Sequence, residues 1–108
     1  LHELFDQGTV DKDDKEHFKF IYATGAHFPY TNDENFNRLP GDDYSRERAI
    51  GSARGSLKLC LQYIEKMKQS GVYDNTTIII MADHGFYTEG ALTNPLFMVK
   101  PSGTVYNI

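Results

Sequence analysis

The chain has 108 residues and a formal net charge of −4, with 40% hydrophobic and 13% aromatic residues. This length allows one modest domain, and the composition is typical of a globular rather than a disordered chain. Because phosphate binding needs clustered lysines and arginines, and the eleven basic residues are scattered, a general nucleic-acid binder is excluded.

The first 17 residues carry little pattern. Leu1, Leu4 and Phe5 have helical spacing and predict a short helix, and the mixed-charge stretch after them predicts a solvated connection. The chain opens with LHELFDQG, without an initiator methionine or a signal peptide, and we expect it to come from within a longer protein. His2 and His17 are interpreted as solvated surface histidines.

The segment FKFIYAT, residues 18–24, is rich in aromatic and β-branched residues and predicts a strand that ends at Gly25. Residues 25–45 hold two prolines and predict a loop. A loop of this length inside a compact domain is unusual, and such loops tend to be functional. His27 lies in this loop, just beyond the carboxyl end of the predicted strand.

Residues 45–70 predict one long helix. Its apolar residues recur every three or four positions and form one stripe of Ala49, Ala53, Leu57, Cys60, Ile64 and Met67. Ser45 or Asp43 is expected to cap the start, and Gly71 is expected to end the helix in the left-handed conformation. Gly51 and Gly55 weaken the first turns, which predicts a close approach of backbone there.

Two further strands are predicted at TIIIMA, residues 77–82, and PLFMVKP, residues 95–101, with a second loop, FYTEGALTN, between them. The first strand does not alternate, because residues 78–81 are all apolar, and this is typical of a parallel strand covered on both faces. Strands that alternate with a long helix predict an α/β layer fold.

Asp83 and His84 follow the apolar run directly. Ligands of open α/β sheets bind beyond the carboxyl ends of strands. Neighbouring side chains on a strand point in opposite directions, so the chain must turn for both to face one ion, and Gly85 is expected to supply that freedom. A carboxylate with an imidazole suits zinc or manganese better than calcium or magnesium. Such an ion would polarise a phosphoryl or sulfuryl oxygen and activate a nucleophile.

Two ligands do not complete a zinc site. His27 follows another predicted strand and could reach the same rim as Asp83 and His84. Structural interpretations stay open for both motifs. ADHG could be a polar turn after a strand, and HFPY could be a kinked loop in which Phe28 and Tyr30 cover the sheet edge.

Residues 18–101 resemble the C-terminal half of a sulfatase-family domain in the alkaline phosphatase superfamily. HFPY is similar to the family's His-x-Pro motif, and the long helix follows it in the same order. VYDNTTIIIMADHG matches the stretch that holds the family's metal-binding Asp-His or Asp-Asn pair, and NPLFMVKP resembles the strand that follows it. The resemblance implies one partial domain over residues 1–108, as part of a three-layer α/β sandwich with a mostly parallel central sheet flanked by helices.

Carried over residue by residue, the resemblance makes Asp83 and His84 ligands of a divalent metal ion. It makes His27 a contact to the sulfate or phosphate group of the substrate. The Asp-His pair is similar to the lipoteichoic acid synthase and phosphoethanolamine transferase branch. Gly55 supports that branch, because classical sulfatases usually carry an aspartate near this point of the helix. Members of the branch act outside the cytoplasm, often tethered by membrane helices, although no apolar run here approaches the roughly 18 residues of a span.

The family's nucleophile is a threonine, a serine or a cysteine modified to formylglycine, and it lies in the half that the resemblance does not cover. Cys60 lacks the family's Cys-x-Pro-x-Arg context and is interpreted as a buried small hydrophobe. As the single cysteine, it also excludes an internal disulfide. We therefore expect no catalytic nucleophile in this chain and no turnover by the chain alone.

The resemblance implies a fragment of a metal-dependent hydrolase or transferase of phosphate or sulfate esters, acting on cell-envelope or extracellular glycan or lipid substrates. A non-catalytic sulfatase-like binding or structural module that has lost the nucleophile stays open as the alternative. We also expect exposed apolar surface, and hence contact with the remainder of a parent chain or association into oligomers.

Overall fold

The computed structural model describes residues 10–11, 13–41, 43–88 and 91–103. The elements within them are α1 (Arg46–Gln69), β1 (Ile78–Met81), β2 (Tyr87–Thr88), β3 (Ala91–Leu92) and β4 (Phe97–Lys100). The chain divides into two compact units, Leu1–Lys66 and Met67–Ile108. The helix predicted around Leu1, Leu4 and Phe5 lies outside the described residues, as does His2.

The predicted long helix is confirmed as α1, with both of its ends formed as expected. The Ser45 hydroxyl accepts a hydrogen bond from the Arg48 N–H at 3.3 Å, and the Asp43 carboxylate accepts one from the Ser45 N–H at 2.7 Å. At the other end Gly71 takes a left-handed φ of 74°, and its N–H donates to the Lys68 carbonyl at 3.0 Å. Local capping chemistry therefore sets both limits of α1.

The predicted stripe of α1 is only partly buried. Ala49, Cys60 and Ile64 are half-buried, whereas Ala53 and Leu57 are exposed and their neighbours Ser52, Gly55 and Leu59 are buried. The prediction was wrong at Ala53 and Leu57 because it counted apolar residues only, and small residues pack just as well where a backbone approaches closely. Met67 is buried, as predicted. Cys60 is half-buried, and this burial raises the pKa of its thiol.

The predicted close approach of backbone is confirmed at Gly55 but not at Gly51, where a methyl group would lie 3.9 Å from its nearest neighbour. The Ser52 hydroxyl donates to the Asn32 carbonyl at 2.9 Å. A methyl group at Gly55 would lie 3.4 Å from both the Asp33 carbonyl oxygen and the Phe36 ring. The loop backbone therefore lies directly on the small residues of α1, and that contact accounts for a glycine in the interior of a helix.

The 31–39 loop that contacts α1 is held by one carboxylate. Asp33 accepts hydrogen bonds from the N–H groups of Asn35 and Asn37 at 2.8 and 2.9 Å, and from the Asn37 side-chain amide at 3.0 Å. Asn32 and Arg38 form an isolated antiparallel bridge across the loop. The hydrogen bonds from Asn37 and Asn35 hold the pKa of Asp33 below its ordinary value, because they favour the ionised form.

Arg48 fastens both ends of the same loop to α1. Its guanidinium donates to the carbonyls of Pro40 at 2.9 Å and of Tyr30 and Gly41 at 3.4 Å, and its Nε lies 3.1 Å from an Asp43 carboxylate oxygen. Tyr30 is buried beside it, and this burial raises the pKa of its hydroxyl. The Arg48 side chain therefore joins Tyr30 and Gly41, which precede it by eighteen and seven residues in the sequence.

The predicted parallel central sheet and three-layer α/β sandwich are wrong. Among the described residues, β1 pairs antiparallel with β4, with Ile78 opposite Lys100 and Met81 opposite Phe97, and β2 pairs antiparallel with β3. The two strands of the β1–β4 pair were predicted, and the short β2–β3 hairpin lies where a loop was predicted. An apolar run indicates that a strand packs, but it does not specify the direction of its partner.

The apolar residues of β1 alternate in exposure instead of being covered on both faces. Ile78 and Ile80 are half-buried, whereas Ile79 and Met81 are 57% and 63% exposed. Antiparallel sheets commonly pack one face and leave the other in solvent, which gives this alternation. The prediction of a doubly covered strand is therefore also wrong within this unit.

The predicted strand at residues 18–24 is not formed. These residues lie in no ladder, and Phe18 and Phe20 are 91% and 79% exposed. The β-propensity of aromatic and β-branched residues reflects packing against neighbouring strands rather than a property of the isolated backbone. Without such a neighbour, composition alone does not make a strand here.

Lys100 anchors the far end of the ribbon. Its ammonium donates to the carbonyls of Tyr73, Thr76 and Asp74 at 2.5, 3.0 and 3.2 Å, and it lies 4.3 Å from the centroid of the Tyr73 ring. These contacts tie the turn before β1 to the end of β4. These contacts therefore fix the start of β1 relative to the end of β4.

Candidate metal-binding site

In the second unit, the β1–β4 and β2–β3 pairs are formed by the same two stretches of chain, one running from β1 to β2 and the other from β3 to β4. Beyond the β1–β4 pairs, the Ala82 N–H donates to the Leu96 carbonyl at 3.0 Å. Beyond the β2–β3 pairs, the Thr93 N–H donates to the Phe86 carbonyl at 3.0 Å. The ribbon is therefore interrupted only between these two points, and the predicted metal ligands lie in the interruption.

The interruption has the form of a β-bulge. Three residues, 83–85, lie between Ala82 and Phe86, whereas two residues, 94–95, lie between Thr93 and Leu96 on the opposite segment. One extra residue on one side breaks the strict alternation of side chains and re-aims them, and such bulges are common next to functional sites. Pro95 lacks a backbone N–H, so it has no ladder bond to donate there.

Gly85 is required for space rather than for an unusual backbone angle. It is buried, and a Cβ built on it would overlap the backbone carbonyl of Thr93 and lie 2.8 Å from the Thr93 hydroxyl. The glycines with positive φ among the described residues are Gly41, Gly71 and Gly103. The turn expected from the freedom of Gly85 is therefore supplied by the bulge, which the missing side chain allows to close.

His84 has one ring nitrogen engaged and the other turned toward Asp83. Its Nδ1 lies 2.7 Å from the Gly85 carbonyl oxygen, and because a carbonyl only accepts, Nδ1 carries the proton of this bond. In the neutral ring the lone pair is then on Nε2, 3.9 Å from the Asp83 carboxylate oxygen. The same carboxylate oxygen accepts the His84 N–H at 3.0 Å.

The geometry of the pair fits two ligands of one ion. Zinc–nitrogen and zinc–oxygen bonds of about 2.1 Å at a tetrahedral angle place the two ligand atoms about 3.4 Å apart. The observed 3.9 Å is half an ångström wider, and both side chains are mostly exposed, His84 to 62% and Asp83 to 75%, so they are free to adjust. A histidine that donates its other ring N–H to a backbone carbonyl has the arrangement usual for metal ligands.

The described residues do not complete a ligand set around this pair. Within them, no three histidine, cysteine, aspartate or glutamate side chains come together in a group that could hold a metal ion. A third and a fourth ligand would have to come from other residue types, from water or substrate, or from outside the described part. Asp83 and His84 by themselves would fill two of the four positions around a zinc ion.

His27 lies in the first unit and has the same internal arrangement as His84. Its Nδ1–H donates to the Phe28 carbonyl at 2.6 Å, and its ring stacks on the Phe28 ring with centroids 4.6 Å apart. Its Nε2 would hydrogen-bond a phosphate or sulfate oxygen as a donor only in the protonated ring. Its predicted contact to substrate stays a prediction.

Thr93 is the residue of this site that sequence reasoning missed. Its hydroxyl accepts from the Phe86 N–H at 2.8 Å and donates to the Phe86 carbonyl at 3.0 Å. The sequence carried no clear signal for this contact, because Ala91 and Leu92 are not residues that favour strands and no Asn-Gly or Asp-Gly dipeptide marks a hairpin before Thr93.

Comparisons with protein-family models, with curated proteins and with solved structures found no match for this chain. The sulfatase-family resemblance therefore remains a prediction from the motifs. Across the described residues, no helix combines the length and the apolar character needed to cross a membrane.

Proposed function

We propose that this chain is part of a metal-dependent enzyme that hydrolyses or transfers phosphate or sulfate esters, with Asp83 and His84 as two of its metal ligands. The single observation that carries the proposal is the His84 imidazole, whose Nδ1–H is held by the Gly85 carbonyl while Nε2 lies 3.9 Å from Asp83. The sequence resemblance supplies the substrate class and an extracytoplasmic, membrane-anchored parent protein that acts on envelope or extracellular glycans or lipids.

The side chains of this chain have distinct parts in the proposed reaction. Asp83 would contribute negative charge and His84 a neutral nitrogen donor, a combination that favours manganese or zinc over calcium or magnesium. A divalent ion held there supplies Lewis-acid stabilisation of a phosphoryl or sulfuryl oxygen. For His27, the resemblance implies a contact to the sulfate or phosphate group of the substrate. The nucleophile would come from the family half that the resemblance does not cover.

The proposal is tested by titrating the 108-residue chain with Mn²⁺ and following the broadening of histidine ring-proton resonances. We expect the His84 resonances to broaden first, and the effect to be lost in Asp83→Asn because the carboxylate charge is gone. His27 is the matched control, because its Nδ1 is also held by a backbone carbonyl, that of Phe28 at 2.6 Å, but no described aspartate forms an ion pair with its ring. Broadening of His27 before His84, or equal broadening in wild type and Asp83→Asn, would contradict the proposal.

A second candidate is a sulfatase-like module that binds through the same pair and performs no chemistry. Its motivation is the resemblance itself, which covers no residue that corresponds to the family's nucleophile. Both candidates predict metal binding by Asp83 and His84. They are separated by the activity of the complete parent protein on phosphate and sulfate esters, since only the enzyme would lose turnover in His84→Ala.

A further inference from the structure

We infer that Thr93 is a positioning residue for His84. Across the bulge it holds the peptide unit whose carbonyl, that of Gly85, keeps the His84 proton on Nδ1. The Nε2 nitrogen is then unprotonated and can bind a metal ion. This inference rests on the proposed metal-binding role of His84 for its functional meaning. Its structural content, the tautomer of one imidazole, stands independently of any metal.

The hydroxyl of Thr93 closes the bulge from the opposite segment. It accepts from the Phe86 N–H at 2.8 Å and donates to the Phe86 carbonyl at 3.0 Å, while the Thr93 N–H donates to that carbonyl at 3.0 Å. Phe86 directly follows Gly85 in the chain. The amide linking Gly85 to Phe86 is therefore held through its N–H by a side chain rather than by a regular ladder bond.

The same amide carries the acceptor for His84. The Gly85 carbonyl belongs to the peptide unit whose N–H is that of Phe86, and it accepts the His84 Nδ1–H at 2.7 Å. Because a peptide unit is planar, its N–H and C=O point in opposite directions, and fixing one fixes the other. The Thr93 hydroxyl, bound at one edge of this planar unit, therefore aims the carbonyl at the opposite edge toward the imidazole.

Close packing is a second restraint on the rotation of this peptide unit. The Thr93 backbone carbonyl occupies the place where a side chain on Gly85 would be, so the two segments touch at the bulge. With the hydroxyl removed, the packing remains but the Phe86 N–H loses its acceptor from the opposite segment. The peptide then gains freedom to tilt, and the imidazole can exchange its proton to Nε2, where a proton blocks metal binding.

The experiment measures the His84 tautomer directly in the 108-residue chain labelled with ¹⁵N-histidine, at about pH 8.5, where imidazoles are neutral. Two-bond and three-bond ¹H–¹⁵N correlations distinguish the protonated from the unprotonated ring nitrogen. We expect the Nδ1–H form in the wild type and in Thr93→Ser, which keeps the hydroxyl, and a mixture of the two tautomers in Thr93→Val, which keeps the shape.

Thr76→Val is the matched control, because the Thr76 hydroxyl also donates to a backbone carbonyl, that of Val72 at 2.7 Å, ahead of β1. It is expected to leave His84 unchanged. An Nε2–H tautomer in the wild-type chain would overturn the inference regardless of how the variants fold. An unchanged Nδ1–H tautomer in folded Thr93→Val would also overturn it.

Metal binding is measured separately, so the two proposals fail differently. We expect the Mn²⁺ dissociation constant to rise about tenfold in Thr93→Val and to stay unchanged in Thr93→Ser, as is typical when a residue that orients a metal ligand is lost. If the tautomer shifts as expected but the wild-type chain binds no Mn²⁺, the proposed metal function fails while the positioning role stands. If Mn²⁺ binds at His84 but the His84 tautomer is the same in Thr93→Val as in the wild type, the positioning role fails while the proposed metal function stands.

Discussion

The imidazole of His84 donates its Nδ1 proton to the carbonyl of Gly85, the next residue in the chain, at 2.7 Å. This contact spans one residue, yet it depends on residue 93, because the Gly85 peptide is held by Thr93 across the ribbon. The orientation of this imidazole therefore combines a local hydrogen bond with a contact between residues that are distant in the sequence.

Replacing Gly85 by alanine is expected to lower the free energy of unfolding by about 1–3 kcal/mol, because the added methyl group would overlap the Thr93 carbonyl and force the bulge apart. Urea unfolding followed by circular dichroism measures the change. Gly51→Ala is the control, since its nearest neighbour outside the helix would be 3.9 Å away, and it should instead stabilise by about 0.5–1 kcal/mol. Equal stability of Gly85→Ala and wild type would rule out the close contact.

Replacing Arg48 by methionine is expected to lower the free energy of unfolding by about 1–2 kcal/mol, because three backbone carbonyls lose a charged donor. Arg48→Lys should recover only part of this loss, since a single ammonium cannot reach all of the positions that the planar guanidinium serves. Denaturant titrations of the three proteins provide the comparison. A full recovery by lysine would show that charge alone matters at this position.

Acid should weaken the 31–39 loop through Asp33. Hydrogen bonds, first from the Asn37 side chain, hold the pKa of Asp33 below its ordinary value. A lowered folded-state pKa means that the stabilisation is fully present above the unfolded-state pKa of about 3.9 and is lost as the pH falls through the lower, folded-state value.

The measurement for this prediction is the unfolding free energy as a function of pH in wild type and Asp33→Asn. Asparagine keeps an oxygen that can accept from the Asn35 and Asn37 N–H groups but does not titrate. We expect the wild type to lose more stability than Asp33→Asn below about pH 4. Parallel pH profiles for the two proteins would show that Asp33 does not contribute to the acid response.

The 108-residue chain alone is expected to show no turnover of p-nitrophenyl phosphate or p-nitrophenyl sulfate in the presence of Mn²⁺ or Zn²⁺. The reason is that the family resemblance places the nucleophile in a half that these residues do not match. A spectrophotometric assay at high protein concentration is sufficient. Hydrolysis by the pure chain that disappears in His84→Ala would mean that a nucleophile is present here after all.

Features that depend on interactions between residues close together in the sequence were predicted accurately. Ser45 and Gly71 marked the ends of α1 because capping depends on neighbours three or four positions away. The close approach at Gly55 also followed, since a glycine inside a helix needs a reason. The juxtaposition of Asp83 and His84 was predicted from adjacency, although the bulge that arranges them was not.

The errors all concern which segment packs against which. Ala53 and Leu57 were predicted to be buried and are exposed, because Ser52 and Gly55 admit the loop backbone on another face of the helix. Residues 18–24 have the composition of a strand but no neighbouring strand to pair with among the described residues. Nothing within a short window of sequence states the identity of a distant partner.

By itself, the sequence determined the helix, its caps, the two β-forming segments that pair as β1 and β4, and the adjacency of an aspartate and a histidine at the end of β1. These follow from backbone propensities and side-chain donors that act over one turn or one strand. Only the tertiary structure established that β1 pairs antiparallel with β4, that one extra residue bulges at 83–85, and that Thr93 lies against Gly85. Apolar patterning measures how much surface a segment will bury, whereas direction, register and partner depend on contacts between residues far apart in the chain.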